Sequence, residues 1–225
     1  MQTDIIDRLL TAAAAHVPFD GWSETAFAAS ARDAGVDRAV ARAACPRGAV
    51  DLALAYHAAG DRAMLARLEE ADLEGMRFRD RIKAAVRWRL EAAEPEMVRR
   101  GLTLFALPQH AADGARAMWQ TADHIWQALG DSSDDVNWYT KRATLSGVYG
   151  STVLYWLGDD SPEHVATWEF LDRRIDDVMQ IEKIKARVKG NKLASALMAG
   201  PMALLGQIRA PRRDGGMPGH WSGKH

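Results

Sequence analysis

The chain has 225 residues, of which 48% are apolar and 26% charged, with a formal net charge of −1. That length suits one domain with or without appendages, and the near-neutral balance excludes a global attraction to nucleic acid, so any such binding has to be local. Alanine-rich composition with few β-branched runs points to an all-α protein. The single cysteine, Cys45, excludes an intrachain disulfide and fits a reducing compartment.

The first residues, Met1-Gln2-Thr3-Asp4, lack a basic, apolar signal pattern and the arginine-rich character of a mitochondrial transit peptide. No apolar run reaches the ~20 residues that span a bilayer. The expectation is a cytoplasmic protein. Residues 4–16 read as a first helix, with Ile5, Ile6, Leu9, Leu10 and Ala13 on one side. Pro18 and Gly21 punctuate the stretch that follows. Ser23 is placed to cap a second helix, which ends at Ala34-Gly35. A short third helix runs to Ala44 and stops before Pro46. Helix, glycine turn and short helix have helix-turn-helix spacing.

A fourth helix is predicted from about Gly48 through His57, continuing over 61–74 until Gly75. Helices follow over 80–94, 96–106 and 111–129, bounded by Pro95, Pro108 and Gly130. Another runs from about 134 to 157. Ser161-Pro162-Glu163 then combines a cap, a proline for the first helical position and an acid near the positive end of the dipole, which predicts a helix starting there. It carries Trp168, Leu171, Ile175 and Val178 at three- and four-residue spacing, as in helices that pack along their length.

After Glu182 the character changes. No acidic residue occurs from Lys183 to Arg213, while Leu193, Leu197, Leu204 and Ile208 form a stripe with Met198 and Leu205 beside it. That pattern predicts a basic amphipathic helix at a membrane surface, over 189–209, with Leu193, Leu197, Leu204, Leu205 and Ile208 as the contacts. The alternative is a terminal helix packed on the body. The tail, 210–225, is rich in Gly and Pro and reads as disordered. The predicted division is a helix-turn-helix-like part over 1–57, a helical body over 58–188, the amphipathic helix and the tail.

The stretch Asp135-Val136-Asn137-Trp138-Tyr139-Thr140-Lys141-Arg142 opens the 134–157 helix. Asp135, Tyr139 and Arg142 project onto one shoulder, 60–120° from the core line of Leu145, at about 100° per residue. An aromatic pair flanked by an acid and an arginine is the composition of an interface hot spot. The plainer reading makes Trp138 core and pairs Arg142 with Asp134 or Asp135 on a solvated face.

Catalytic signatures are missing. His57 and Asp61 are four apart on a helix, but no Glu-x-x-His pair joins them, so no metal site is defined. There is no phosphate-cradling glycine loop and no Gly-x-Ser-x-Gly elbow. These readings point away from an enzyme and call for no cofactor. The eight tryptophans either fill a core, which the sequence favours, or line a cavity for an apolar ligand. Trp119, Trp126, Trp156 and Trp168, with Leu171, are the candidates for lining it.

Two resemblances follow from particular motifs. Residues 4–57, through Trp22-Ser23-Glu24-Thr25 and Ala34-Gly35-Val36, resemble the N-terminal domain of the tetracycline-repressor family. The chain from about 2 to 206 resembles more closely the lipid-binding accessory proteins of ubiquinone biosynthesis, the ninth-named component of that system. The motifs are His16-Val17-Pro18-Phe19-Asp20-Gly21-Trp22, Pro46-Arg47-Gly48-Ala49-Val50-Asp51-Leu52, the Asp135–Arg142 stretch and Thr167-Trp168-Glu169-Phe170-Leu171. The resemblance implies a repressor-like helical bundle with a vestigial helix-turn-helix, a bound isoprenoid lipid or phospholipid, and a homodimer. It also implies a membrane-docking C-terminal helix and a di-iron hydroxylase partner received by Asp135, Trp138, Tyr139 and Arg142. With no transit peptide in view, it implies attachment to the inner face of a bacterial membrane.

DNA binding is disfavoured on chemistry. The recognition-helix positions read Val40 and Arg42, followed by Gly48, and they offer only Arg38 and Arg42 as donors to bases and phosphates. The readings carried forward are a lipid-presenting protein, a ligand-responsive transcription regulator, and a plain dimeric scaffold. The dimer is expected to use 135–157 and 161–182, with Trp168, Leu171 and Ile175 at or beside the contact.

Overall fold

The computed structural model describes residues 2–134 and 136–190, with the backbone alone for Gln2 and for 181–190. Among them the regular elements are all helical: α1 Gln2–Ala13, α2 Val17–Asp20, α3 Glu24–Asp33, α4 Arg38–Ala44, α5 Ala49–Glu70, α6 Phe78–Glu91, α7 Pro95–Phe105, α8 Ala111–Ala128, α9 Val136–Trp156 and α10 Val165–Gly190. Asp135 lies outside the described residues. So do the candidate membrane contacts Leu193, Leu197, Leu204, Leu205 and Ile208, together with the 210–225 tail.

Local chemistry explains most boundaries. Ser23 is extended, and its Oγ accepts from Ala26 N–H at 3.1 Å, satisfying a donor that the first turn of α3 leaves free. Gly35 takes φ +62° and turns the chain from α3 into α4. Asp37 then accepts from Ala39 N–H at 2.8 Å to start α4. Pro18, expected as a breaker, instead sits in the one-turn α2, and Pro95 opens α7 rather than closing α6.

Two cores result. The first packs Leu9, Val17, Trp22, Phe27 and Leu52 from α1–α5. The second packs Met64, Val86, Ile125, Leu145, Trp156, Leu171 and Ile175 from α5, α6 and α8–α10. The division expected at residue 57 falls inside α5, which is continuous over 22 residues, about 33 Å, and belongs to both cores. Within this helix Gly60 sits where an added Cβ would lie 2.4 Å from Arg89 Nη1, so only glycine lets the guanidinium cross it.

The last described helix starts later than its sequence signal. Pro162–His164 is a 3₁₀ turn, and Glu163 and His164 have φ of +53° and +55°. α10 begins at Val165, capped from upstream. Ser161 Oγ accepts from Ala166 N–H at 3.1 Å, and Asp159 accepts from Thr167 N–H at 2.9 Å. Asp159 also accepts from Ser161 N–H at 2.9 Å, and hydrogen bonds from Ser161 and Thr167 hold its carboxyl below the ordinary range.

Candidate functional site

A cavity of about 420 Å³ lies between α5, α6, α7, α8 and α9, with Trp22 at one end. Its walls are apolar: Ala53, Met97, Val98, Leu102, Phe105, Met118 and Val153 contribute most of them. Leu154, 65% exposed, belongs to the same lining and marks its edge toward the surface. Tyr56, His57, Arg89 and Tyr149 give the cavity a polar end. An apolar enclosure with a few convergent polar groups is the usual form of a small-molecule site.

Beneath that end lies a buried charged network. Arg89 Nε donates to Asp61 Oδ1 at 2.6 Å, and Arg89 Nη2 donates to the His57 carbonyl at 2.9 Å. Thr121 Oγ1 donates to Asp61 Oδ1 at 2.9 Å, and His124 Nδ1 lies 3.0 Å from Asp61 Oδ2. With the Thr121 proton committed to Asp61, His57 Nε2 is the donor to Thr121 Oγ1 at 2.8 Å and to the Ala117 carbonyl at 3.1 Å. Burial raises the Asp61 carboxyl, but the His124 hydrogen bond and the charge and hydrogen bond of Arg89 outweigh it, and its pKa falls. Burial, helped by the Arg89 charge, pushes His57 down to about 4, so the imidazole is neutral. The hydrogen bond to Asp61 pushes His124 up.

The sequence noticed His57 and Asp61 as a spaced pair but not this network. Among the described residues, no group of three or more His, Cys, Asp or Glu side chains can hold a metal ion. A clue was available. Arg89 falls at i+7 from Ile82 and i+3 from Val86, and Asp61 falls on the stripe of Met64 and Leu68. Both place a charge on a core face.

A second, smaller cavity of about 190 Å³ is lined by Phe78, Ile82, Trp126, Lys141, Ile175 and Met179 among others. Of the tryptophans expected to line a ligand site, Trp126 lines this second cavity, and neither Trp119, Trp156 nor Trp168 lines either of the two. Its Nε1 donates to the Lys141 carbonyl at 3.1 Å. Trp156 is core, 4% exposed, because its position continues the stripe of Leu145, Tyr149 and Thr152. Leu171 is core at 2%. Trp168 donates to the Glu163 carbonyl at 2.8 Å and lies under Arg87. Trp119 turns instead to the start of α9.

There, Trp119, Trp138 and Tyr139 form an aromatic cluster, with centroids 5.8 Å apart for Trp119–Trp138 and 4.8 Å for Trp138–Tyr139. All three are half-buried. Arg142 differs from both readings of the sequence. It is 1% exposed, stacked 4.1 Å from the Trp138 ring centroid, and it donates to Asp123 Oδ1 at 2.5 Å and Asp131 Oδ2 at 2.9 Å. Lys141 Nζ adds a bond to Asp131 Oδ1 at 2.7 Å. Burial raises the Asp131 carboxyl, yet the bonds from Lys141 and Arg142 prevail and hold it far below its ordinary value. Arg142 therefore braces the cluster from beneath, and its acids come from α8 and the α8–α9 loop rather than from Asp134. Stacking against Trp138 and occupying the 138-142-145-149 stripe are what bury it.

In the helix-turn-helix region, Arg42, one of two candidate DNA contacts, is paired with Glu24 and lies 5.0 Å from the Phe27 ring centroid. The dimer contacts expected at Leu171 and Ile175 are occupied within the chain, at 2% and 5% exposure, because α10 lays them into the second core. Among the described side chains of α9 and α10, the exposed large apolar ones are Leu154, Tyr155, Val165 and Met179, with Tyr155 stacked on Phe170 at 4.5 Å.

A helix-turn-helix over an α-helical ligand-type core defines the tetracycline-repressor-like class. The TetR transcriptional regulator of Nitrosomonas europaea superposes with a TM-score of 0.64 at 18% identity, covering 77% of this chain and 97% of the regulator, which shows the fold. Sequence carries the assignment further. The COQ9 family model matches residues 111–182. The "Ubiquinone biosynthesis protein COQ9, mitochondrial" of Rattus norvegicus is 33% identical over 216 residues, which are 90% of this chain and 68% of the rat protein. The Homo sapiens and Drosophila melanogaster proteins of the same name are each 31% identical, over 88% and 81% of this chain and 65% and 58% of their own lengths. The chain belongs to the COQ9 family.

These relatives correct one expectation. All are named mitochondrial proteins, in animals, which overturns a setting on the inner face of a bacterial membrane.

Proposed function

We propose that this protein serves ubiquinone biosynthesis without catalysing a step itself, by binding an isoprenoid quinone precursor and presenting it to a di-iron hydroxylase. The observation that carries the binding half is the cavity between α5 and α9, with apolar walls and one polar end. A long apolar tail suits the walls, and an oxygen-bearing ring suits the polar end. No catalytic cofactor is called for; the bound molecule is an isoprenoid lipid or a phospholipid.

The Trp119, Trp138 and Tyr139 cluster supports the presenting half. Half-buried aromatics on a braced helix start are suited to a protein contact. Trp138 and Tyr139 act directly, Arg142 positions them, and Asp135 belongs to the same stretch. The 189–209 segment, with its alternating basic and leucine pattern, supplies reversible membrane attachment. Leu154, Tyr155, Val165 and Met179 are the apolar residues available to a homodimer along α9 and α10.

Extraction of the purified chain into organic solvent, followed by mass spectrometry, tests the binding half. An isoprenoid or phospholipid in the extract is expected, and a lipid-free extract removes its basis. For the presenting half, Tyr139→Ala should lower affinity for the hydroxylase by about 2 kcal/mol, roughly 30-fold, while leaving bound lipid unchanged. Retained affinity would move the partner surface elsewhere. The regulator reading, by contrast, requires a shift of promoter DNA in a gel, which Arg42 is poorly free to support.

A further inference from the structure

The polar end of the cavity holds four polar side chains, and three are engaged. Tyr56 Oη accepts from Glu94 N–H at 2.8 Å. His57 Nε2 is committed to Thr121 and Ala117, and Arg89 to Asp61 and the His57 carbonyl. Tyr149 is different. It is 3% exposed and lines the cavity, yet its Oη has no hydrogen-bond partner among the described residues. The Arg89 guanidinium lies 5.9 Å from the Tyr149 ring centroid, which puts this residue at the polar end. Burial pushes the phenol up, so it keeps its proton and remains a donor. Buried donors in folded proteins are nearly always paired, because an unmet one is costly.

We propose that Tyr149 is the specificity group of the cavity, donating its hydroxyl proton to a carbonyl or ether oxygen on the head of an otherwise apolar ligand. This rests on the lipid-binding reading above and adds what the cavity selects: an oxygen-bearing ring end in preference to plain hydrocarbon. The rest of the head meets His57, whose Nε2 is committed, and Arg89, whose Nε and Nη2 are held by Asp61 and the His57 carbonyl while its Nη1 crosses Gly60. A ligand with no acceptor leaves the Tyr149 phenol unpaired, so the cavity disfavours it.

The test uses two probes on the full chain. One is a quinone carrying a two-isoprene tail; the other is the same tail on benzene, without ring oxygens. Tyr149→Phe keeps the ring that packs in the core, and circular dichroism with a melting curve checks that the fold is kept. The variant should bind the quinone about tenfold more weakly, the effect of one neutral hydrogen bond, and bind the hydrocarbon as the wild type does. Tyr56→Phe, which removes a hydroxyl whose oxygen accepts from Glu94 N–H, is the comparison and should move the ratio between the probes far less than Tyr149→Phe does. The proposal is overturned if Tyr149→Phe leaves the ratio unchanged, or if Tyr56→Phe shifts it equally. If the wild type binds neither probe, the lipid-binding reading falls first, and this proposal with it.

Discussion

Arg142 shows how far a single side chain can depart from its helical-wheel position. On the sequence it reads as a surface arginine, yet its guanidinium is sealed between Trp138 and the acids Asp123 and Asp131. Arg142→Ala would leave Asp131, whose side chain is 3% exposed, with Lys141 alone, and would take the guanidinium from Asp123 and from the Trp138 ring. A loss of about 3 kcal/mol in urea denaturation is expected, since removing one partner of a buried ionic network leaves its acids undercompensated. Arg142→Glu, which a surface reading would tolerate, should do worse. A cost under about 1 kcal/mol for the alanine variant would return Arg142 to the surface. His57 gives a pH test. Its folded pKa of about 4 lies below the ordinary value near 6.5, so between those values the unfolded chain takes up a proton that the folded chain refuses. Stability therefore falls as pH drops through that window. His124, raised by Asp61, works oppositely, with stability present at low pH and lost as pH rises past its folded value. His57→Gln keeps a donor for Thr121 and removes the titration. Its melting temperature should fall less than the wild type's between pH 6.5 and 4.5, and an identical slope would mean His57 is not buried neutral.

At the scale of elements, the boundaries with a local chemical cause were legible. Ser23, Gly35 and Gly130 mark ends that the structure keeps, because caps and positive-φ glycines act within a few residues. Ser23→Ala should cost about 1 kcal/mol, measured by thermal unfolding. The start of α10 was misread because Ser161 and Asp159 cap Val165 onward from a 3₁₀ turn, a geometry that a Ser-Pro-Glu signal does not specify. The cavity was not legible because its polar end joins α5, α6 and α8, with Asp61 28 residues from Arg89 and 63 from His124. Periodicity reports which face of a helix is inside, and only packing decides which buried faces meet. Gly60 makes the point testable. Helix propensity alone predicts that Gly60→Ala gains about 0.5–1 kcal/mol. The clash with Arg89 predicts the opposite sign, a clear loss, because the guanidinium has to leave Asp61. A stabilised variant would contradict the crossing.

For the whole molecule, the repressor-like bundle was legible from helix count, helix-turn-helix spacing and motif resemblance, whereas the residues lining the main cavity were not. The tryptophans expected to line a ligand cavity went to core, to the second cavity and to the α9 cluster. Smaller residues from α7 and α8, such as Val98 and Met118, line the main cavity instead. Tryptophan is large enough to fill the space a ligand would need. If the chain pairs along α9 and α10, Tyr155→Asp should convert dimer to monomer in light scattering. A wild-type monomer at micromolar concentration would remove that arrangement. The proposed function stands or falls on lipid binding in the α5–α9 cavity. Native mass spectrometry of the wild type against Leu102→Trp and Val98→Phe, which fill the cavity, tests it most directly. A lipid adduct is expected on the wild type and is lost from both variants while they stay helical and cooperatively folded. The same adduct at the same occupancy on folded variants would contradict it.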